Sequence, residues 1–387
     1  MAILVHQLLS EAASAFPERI AVRHRGDEIT YARLEAAANG IARTLIELGV
    51  EPGDRVAIWL PKQIETIVTL YGILKAGGVF VPIDPSVPPP YAANVAVDCS
   101  ARALVSTPPR ASEMVGQLED HRLSGAVLVG DAQHHGVPGV RSVPYRDATS
   151  DTACSDPCIR RIDADVACLL YTSGSTGRPK GVMHTHRAVL AVADWYVRTM
   201  EVVPQDRLAV HAPLHFVMAP YGIFPAAQTG ATSVLLSLER AFRGSDLAKF
   251  IRREGISIWH SVPYPIRHLL DAGAEPGSLP ALRIVGCGGG TLRRSEARRL
   301  HELAPAAQLW QYYGTTEVWG AFHNRLDLRL DADGEGNGSE DGPVSIGLPI
   351  ENVDAVVVRD DGEAAGPGDE GELYLRSVRV MAGYWGD

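Results

Sequence analysis

Hydroxyl side chains, glycines and a lysine are concentrated in residues 169–186, LLYTSGSTGRPKGVMHTH. The glycines allow backbone amides to approach a ligand closely and to adopt positive φ. The hydroxyls and the ammonium of Lys180 add donors that suit the many acceptor oxygens of a polyphosphate. The order is not that of a Walker loop, because proline precedes Lys180 and glycine follows it. The stretch predicts a phosphate-binding loop, although its composition alone is equally typical of a surface turn.

The overall composition excludes several classes of protein. The chain has 387 residues, 46% hydrophobic and 21% charged, which is enough for two or three domains with a buried core. A net charge of −10 argues against a nucleic-acid binder. No apolar run approaches the roughly 20 residues that span a bilayer, and the first residues carry no basic leader. The cysteines are scattered and odd in number, which favours a reducing cytoplasm over a disulfide framework.

Apolar strands alternate with amphipathic helices along most of the chain. The run ITYARLEAAANGIARTLIELGV predicts a helix that Thr30 caps and Gly49 ends. The strand DRVAIWL, the helix QIETIVTLYGILKAGG and the strand VFVPID follow it. The alternation recurs with the apolar runs ATSVLL, ISIWHSV, LRIVG and QLWQYYG. This pattern predicts an α/β fold with mostly parallel sheets that are covered on both faces.

The domain organisation follows from this pattern and from a change of composition near residue 331. We predict two stacked α/β subdomains, residues 1–200 with the phosphate-binding loop and residues 201–330. The run DADGEGNGSEDG is acidic, glycine-rich and too poor in apolar residues to pack, so it predicts a surface loop. Beyond it, NVDAVVV and ELYLRS flank an Asp-Gly turn. They predict a small C-terminal antiparallel β unit within residues 331–387.

Several stretches together resemble one family. YTSGSTGRPKGV resembles the phosphate-binding signature of the adenylate-forming superfamily, which includes acyl-CoA synthetases, luciferases and the adenylation domains of nonribosomal peptide synthetases. Further resemblances follow in the family's order: LKAGGVFVPIDPSVP, YYGTTEVWG, IGLPIENVDAVVV and GELYLRSVRVMAGYWGD. They cover nearly the whole chain. The chain is therefore similar to the large N-terminal portion of an adenylation enzyme, with stand-alone adenylation enzymes as the nearest type.

The resemblance implies an ATP site. Glu317 would hold Mg²⁺, and Thr316 would contact the α-phosphate as the second catalytic residue. Tyr313 would stack on adenine, and Gln311 would read its amino group. The phosphate grip would come from Thr172, Ser173, Gly174, Ser175, Thr176, Gly177 and Lys180, and further nucleotide contacts from Gly288, Gly289, Tyr312, Gly314 and Thr315. Taken alone, the two adjacent tyrosines are also typical of ordinary strand packing.

The resemblance also places an acyl pocket in the second subdomain. Its predicted lining residues are Phe216, Val217, Met218, Tyr221, His260, Val285, Cys287, Gly320 and Ala321. Val217 stands where amino-acid-activating members carry an aspartate that pairs with the substrate's α-ammonium. A buried ammonium without a carboxylate partner loses several kcal/mol. We therefore expect a carboxylic acid that is not an ordinary α-amino acid: an aryl or heteroaryl acid first, a β- or ω-amino acid next, then an aliphatic or hydroxy acid.

Purely structural interpretations of these pocket residues stay open. The motif could be out of register by one residue, which would make Val217 plain core. His260 could be a packed strand histidine that never touches substrate. Cys287 is more typical of a small apolar lining residue than of a nucleophile, because the sequence places no base beside it.

The resemblance implies a thiol acceptor for the activated acid. The stretch KAGGVFVPIDPSVP is closer to the peptide-synthetase branch, which favours the phosphopantetheine arm of a carrier protein. The alternatives are an acyl- or aryl-CoA ligase, a luciferase-like oxygenase, and a degenerate nucleotide-binding module without activity. The family's C-terminal catalytic lid domain, with its lysine for the carboxylate and α-phosphate, is expected to be absent. We therefore expect these 387 residues alone to turn over poorly.

Overall fold

A computed structural model describes residues 2–118, 122–131, 136–150, 155–173, 179–236, 244–326 and 341–387. They belong to two compact units. The first unit contains residues 1–238 together with 382–387, and the second contains residues 239–381. Among the described residues, no helix combines the length and the apolar character that a bilayer crossing requires.

The first unit alternates strands with helices, as the sequence pattern predicts. Its strands are β1 (Ile20–His24), β2 (Asp27–Thr30), β3 (Arg55–Trp59), β4 (Val79–Pro82), β5 (Ala103–Ser106), β6 (Gly125–Leu128), β7 (Arg141–Pro144), β8 (Val166–Ser173), β9 (Pro179–Thr185), β10 (Arg207–Val210) and β11 (Thr232–Leu235). Its helices are α1 (Gln7–Ala15), α2 (Tyr31–Glu47), α3 (Ile64–Lys75), α4 (Pro89–Asp98), α5 (Pro108–Val115), α6 (Tyr145–Ala148), α7 (His186–Thr199) and α8 (Phe224–Thr229), with a 3-10 turn at Ala219–Gly222.

Two strand arrangements organise the first unit. One sheet has the order β7-β6-β5-β3-β4-β8-β9 and is parallel except for the antiparallel pair β8–β9. In the other arrangement β10, β11 and β1 run parallel, and β2 pairs antiparallel with β1. Parallel strands of this kind are buried on both faces, which explains their nearly continuous apolar sequences.

Helix α2 shows how local sequence becomes packing. The Thr30 side chain accepts a hydrogen bond from the Arg33 amide and caps the helix, as predicted. The apolar face of α2 is buried and packs on α3 at Gly72, where an added Cβ would lie 2.5 Å from Ile41 Cγ2. Only glycine permits this close approach of the two helices.

The last residues of the chain extend the first unit's sheet. Ala382 N donates to Met183 O at 2.9 Å, Met183 N to Gly383 O at 3.1 Å, and Trp385 N to Gly181 O at 2.7 Å. Residues 382–385 therefore run beside β9 as an added edge. This pairing joins them to the first unit, whereas the sequence grouped them with the C-terminal β unit of residues 331–387.

The second unit is also α/β. Its elements are α9 (Gly244–Glu254), β12 (Ile258–Ser261), α10 (Pro263–Asp271), β13 (Ile284–Cys287), α11 (Arg294–Leu303), β14 (Gln308–Tyr313), β15 (Phe322–Arg325), β16 (Leu348–Pro349), β17 (Val353–Val358) and β18 (Glu372–Ser377). Strands β12, β13 and β14 are parallel, and β15 and β16 continue antiparallel. Strands β17 and β18 form a separate antiparallel pair, which confirms the predicted hairpin.

The unit boundary lies at residues 238/239, whereas the sequence placed a division near residue 200. Strand β11 pairs with β1, so residues 207–235 are tied to the start of the chain. Periodicity reveals a strand but not its partner, which is why this grouping was not readable from the sequence. Of the predicted acidic surface loop, residues 331–340 lie outside the described residues.

Candidate active site

The predicted phosphate grip begins on a β-hairpin of the first unit. Strands β8 and β9 pair so that Thr172 stands opposite Lys180 and Ser173 opposite Pro179. Lys180 Nζ lies 4.8 Å from the centroid of the Tyr384 ring, within cation–π range. Gly174, Ser175, Thr176 and Gly177 lie outside the described residues. The hairpin thus places a hydroxyl residue and an ammonium at the two ends of the glycine-rich stretch.

A cluster of side chains supports this hairpin. The Tyr171 hydroxyl donates to the Asp98 carboxylate, and Trp385 Nε1 donates to Asp98 O at 3.0 Å. The Arg55 guanidinium lies 4.5 Å from the Trp385 ring centroid. Burial, and then the charges around it, raise the pKa of Tyr171, so the phenol keeps its proton for the Asp98 bond. Sequence reasoning had assigned no role to Tyr384 or to this cluster, although the string GYWGD offered an aromatic signal.

In the second unit, Gly-Thr-Thr-Glu forms a tight turn after β14. Thr315 N donates to Val318 O at 3.2 Å, and Thr315 Oγ1 accepts from Val318 N at 3.3 Å. An added Cβ on Gly314 would lie 2.8 Å from the amide nitrogen of Gly320, so the turn requires glycine there. Glu317 O accepts from Met381 N at 2.7 Å. The turn is braced at both ends, and Thr316 and Glu317 on it are half-buried.

Tyr313 ends β14 directly before this turn. Its ring packs edge-on against Phe322, with centroids 5.9 Å apart, and its carbonyl accepts from Ala321 N at 2.8 Å. Gly320, next to Ala321, has a φ of +68°, which favours glycine. Tyr313 is therefore partly engaged in strand packing and also half-buried beside the turn.

Gln311 carries an unused acceptor in a buried position. The residue is 3% exposed, and its Nε2 donates to Gly290 O at 3.1 Å. Its Oε1 is buried and has no hydrogen-bond partner among the described residues. A buried acceptor without a partner is costly, so it suits a ligand that brings an N–H donor. Nearby, Gly288 N donates to Ser261 O at 3.1 Å, and Gly289 has a φ of +68°.

Two aromatic side chains meet over Gly286 on β13. The His260 and Tyr312 rings come from β12 and β14 and lie 5.1 Å apart at an angle of 33°. An added Cβ on Gly286 would lie 2.5 Å from His260 Cε1 and from Tyr312 Cε2. The glycine is therefore what gives these rings room. Burial lowers the pKa of His260 to about 3, so its imidazole is neutral at physiological pH.

The neighbours of Gly286 along β13 are Val285 and Cys287, both buried. Burial raises the pKa of the Cys287 thiol to about 12, and the nearby charge of Glu296 adds to this effect. A nucleophile requires the thiolate, whereas the neutral thiol behaves as a small apolar side chain. The chemistry of this position thus agrees with a lining role rather than with nucleophilic catalysis.

The other predicted acyl residues lie in the first unit, after β10. Phe216, Val217 and Met218 stand on consecutive turns, in which Phe216 N donates to Pro213 O and Ala219 N to Phe216 O. Phe216 is 54% exposed, and Val217 is half-buried. The Tyr221 ring lies 5.4 Å from the ring of Tyr196 on α7. The segment therefore presents an apolar and aromatic surface.

A family model described as AMP-binding enzyme matches residues 9–385. The chain belongs to this family. An L-proline–[L-prolyl-carrier protein] ligase of Streptomyces coelicolor is 32% identical over 367 residues, which are 93% of this chain and 67% of that protein. Tyrocidine synthase 1 of Brevibacillus parabrevis is 28% identical over 98% of this chain, which corresponds to only 32% of its own length.

A solved structure agrees with this assignment. The AMPPNP-bound form of the nonribosomal peptide synthetase FmoA3 has a TM-score of 0.85 and 25% identity, over 100% of this chain and 39% of that chain. These comparisons confirm the resemblance read from the sequence, the α/β fold and the enzyme class, an AMP-forming acid–thiol ligase. The roles of individual site residues stay predictions.

Proposed function

We propose that this AMP-binding enzyme activates a carboxylic acid that has no α-ammonium paired with an acidic side chain of the pocket. The enzyme then loads the activated acid onto a carrier protein. A carboxylate oxygen attacks the α-phosphorus of ATP, the bond to the β-phosphate breaks, and pyrophosphate leaves. A phosphopantetheine thiol then attacks the acyl carbon, and AMP leaves as the thioester forms. Aryl or heteroaryl acids are the favoured substrates, and β-amino acids come next.

The observation that carries this proposal is the side chain of Val217. It is half-buried on the turns after β10, and an isopropyl group cannot neutralise an ammonium. In the second unit, the predicted acyl residue His260 carries a neutral imidazole and supplies no negative charge. An unpaired ammonium taken out of water costs several kcal/mol, so an α-amino acid would bind poorly. In the first unit, the Tyr221 hydroxyl would offer a neutral polar group to a hydroxyl, amine or carbonyl on the acid.

The nucleotide roles rest on local chemistry in each unit. Thr172, Lys180 and the glycine-rich stretch between them would hold the β- and γ-phosphates. In the second unit, the buried Oε1 of Gln311 would accept from the adenine amino group, and Tyr313 would stack on the ring. Thr316 would contact the α-phosphate. Gln311 is the strongest support, because its acceptor is otherwise left without a partner.

Mg²⁺ fits the chemistry of Glu317. Magnesium is commonly held by one or two carboxylates together with phosphate oxygens and water. Glu317 is a half-buried carboxylate on a braced turn, and the described residues contain no cluster of three or more metal-ligating side chains that would form a protein-only cage. When bound, Mg²⁺ would neutralise part of the negative charge of the phosphates. Glu317 would orient it through the rigid turn.

The names of two relatives support a carrier protein as the acceptor of the activated acid. Two L-proline–[L-prolyl-carrier protein] ligases are 32% and 30% identical to the chain. Their names support the proposed acceptor, but the acid they name, L-proline, conflicts with our proposed substrate class and therefore belongs in the test. A cytoplasmic location is part of the same proposal.

The test is ATP–pyrophosphate exchange by the whole protein with benzoate, picolinate, β-alanine, L-phenylalanine and L-proline. We expect an aryl acid to give the highest kcat/KM, by at least about tenfold over both α-amino acids. A higher value for L-proline or L-phenylalanine would contradict the substrate class. ATP binding without exchange for any acid would instead indicate an inactive module.

A second step separates the acceptors. Pre-formed acyl-adenylate is offered to a phosphopantetheinylated carrier protein and, separately, to CoA. Faster thioester formation on the carrier protein supports the proposal. Preferential transfer to CoA would make the enzyme an acyl- or aryl-CoA ligase.

A further inference from the structure

Lys62 is a buried lysine whose hydrogen-bond partners, within the part of the chain that the structure describes, are backbone carbonyls. It lies two residues before α3 and is 6% exposed. Its Nζ donates to Val210 O at 2.6 Å, to His211 O at 2.6 Å and to Ala212 O at 3.1 Å. An ammonium has three donors, so the three carbonyls use all of them. Each N–H of the ammonium therefore has a partner, as a buried charge requires.

These carbonyls belong to the end of β10 and the start of the following segment. That segment, residues 211–221, carries the predicted acyl residues Phe216 and Val217 and forms successive turns from Pro213 to the 3-10 helix. Turns without a regular ladder take their position from such anchors.

We infer that Lys62 is a positioning residue for acid selectivity: by holding the carbonyls of residues 210–212, it sets where Phe216 and Val217 stand. This inference rests on the proposed function, in which residues 216–218 and Tyr221 would contact the acid. Lys62 itself would touch neither the acid nor the nucleotide. Its loss should therefore weaken acid recognition and leave ATP recognition intact.

The anchor should also respond to pH. Burial lowers the pKa of Lys62 to about 7. Above that value the amine has two donors for three carbonyls, so one bond is lost as the pH rises. The titratable groups around it are His24, His211, His215 and Asp84. Burial and nearby charges lower the pKa of each of the three imidazoles below the ordinary value of 6.5. Among these groups, Lys62 is the one whose pKa lies near 7, so we expect acid recognition to change there.

The experiment compares Lys62→Met and Lys62→Arg with Lys249→Met, an exposed lysine on α9. Hydrogen–deuterium exchange of the peptide covering residues 211–222 is measured without any substrate. Pyrophosphate exchange then gives KM for ATP and for the panel acid with the highest kcat/KM. For Lys62→Met we expect faster amide exchange and an acid KM raised about tenfold, with an unchanged ATP KM. Lys62→Arg should recover most of the acid KM, and Lys249→Met should match the wild type.

An unchanged acid KM, or equal increases in both KM values, would overturn the inference. If Lys62→Met does not fold, the acid KM of wild type and Lys62→Arg is followed between about pH 6 and pH 8.5. A rise above pH 7 in the wild type alone supports the anchor, and identical profiles overturn it. If the wild type uses no acid, the proposed function fails, while the amide exchange data still decide whether Lys62 holds the segment.

Discussion

The Gly286→Ala variant tests the ring pair formed by His260 and Tyr312. The new Cβ would lie 2.5 Å from Cε1 of His260 and from Cε2 of Tyr312, and closer still to His260 Nδ1. Ordinary contacts begin at 3.4 Å, so both rings must move by roughly 1 Å. Their strands pair through hydrogen bonds with β13, which leaves side-chain rotation as the main route of relief.

The expected cost follows from this overlap. Overpacking of a buried site costs about 1–3 kcal/mol of the free energy of unfolding. Replacing glycine by alanine also stabilises by about 0.4–1 kcal/mol through the unfolded chain. Gly136→Ala is the matched control, because its added Cβ meets no atom within 4 Å and its φ is not in the left-handed region. The control shares the entropy gain, so the difference between the variants isolates the steric cost.

Denaturant unfolding and exchange kinetics together decide the outcome. We expect Gly286→Ala to be less stable than Gly136→Ala by about 1–3 kcal/mol. We also expect its KM for the preferred acid to rise about tenfold, because the added Cβ would displace His260, a predicted acyl residue. Equal stabilities within about 0.5 kcal/mol, with an unchanged acid KM, would refute the described packing of the rings on Gly286.

Three further predictions follow from single groups. Glu317→Gln should reduce the rate of pyrophosphate exchange by at least about a hundredfold, with partial recovery at high Mg²⁺. The control Glu370→Gln, at an exposed position, should leave the rate unchanged. Equal rates for the two variants would show that Glu317 does not hold the metal. Val217→Asp should raise kcat/KM for L-phenylalanine by about tenfold or more, and no gain would favour Val217 as plain core. Burial lowers the pKa of several histidines from 6.5: His6 to about 4, and His186, His211 and His260 to about 3. Because the unfolded chain takes up protons first, stability present above pH 6.5 should fall towards pH 4 by at most about 1.4 kcal/mol per pH unit per imidazole, and equal denaturation midpoints at pH 7.5 and pH 5 would contradict this.

The sequence by itself determined the local elements and the family. Thr30 and the apolar stripe after it predicted α2, because capping and helical periodicity depend on residues a few positions apart. The alternation of strands and helices predicted parallel sheets, because it too is a pattern among residues that are close in the sequence. The phosphate-loop string and the Gly-Thr-Thr-Glu string are contiguous, so a reader of the sequence meets each of them whole.

The tertiary structure alone decided which distant residues meet. The pairing of residues 382–385 with β9 brings Tyr384 onto Lys180, some 200 positions away in the chain. The bonds of Lys62 to residues 210–212, and the two rings packed over Gly286, likewise join separate elements. Such contacts arise from strand order and packing, which local periodicity does not encode, so they became visible only in the folded chain.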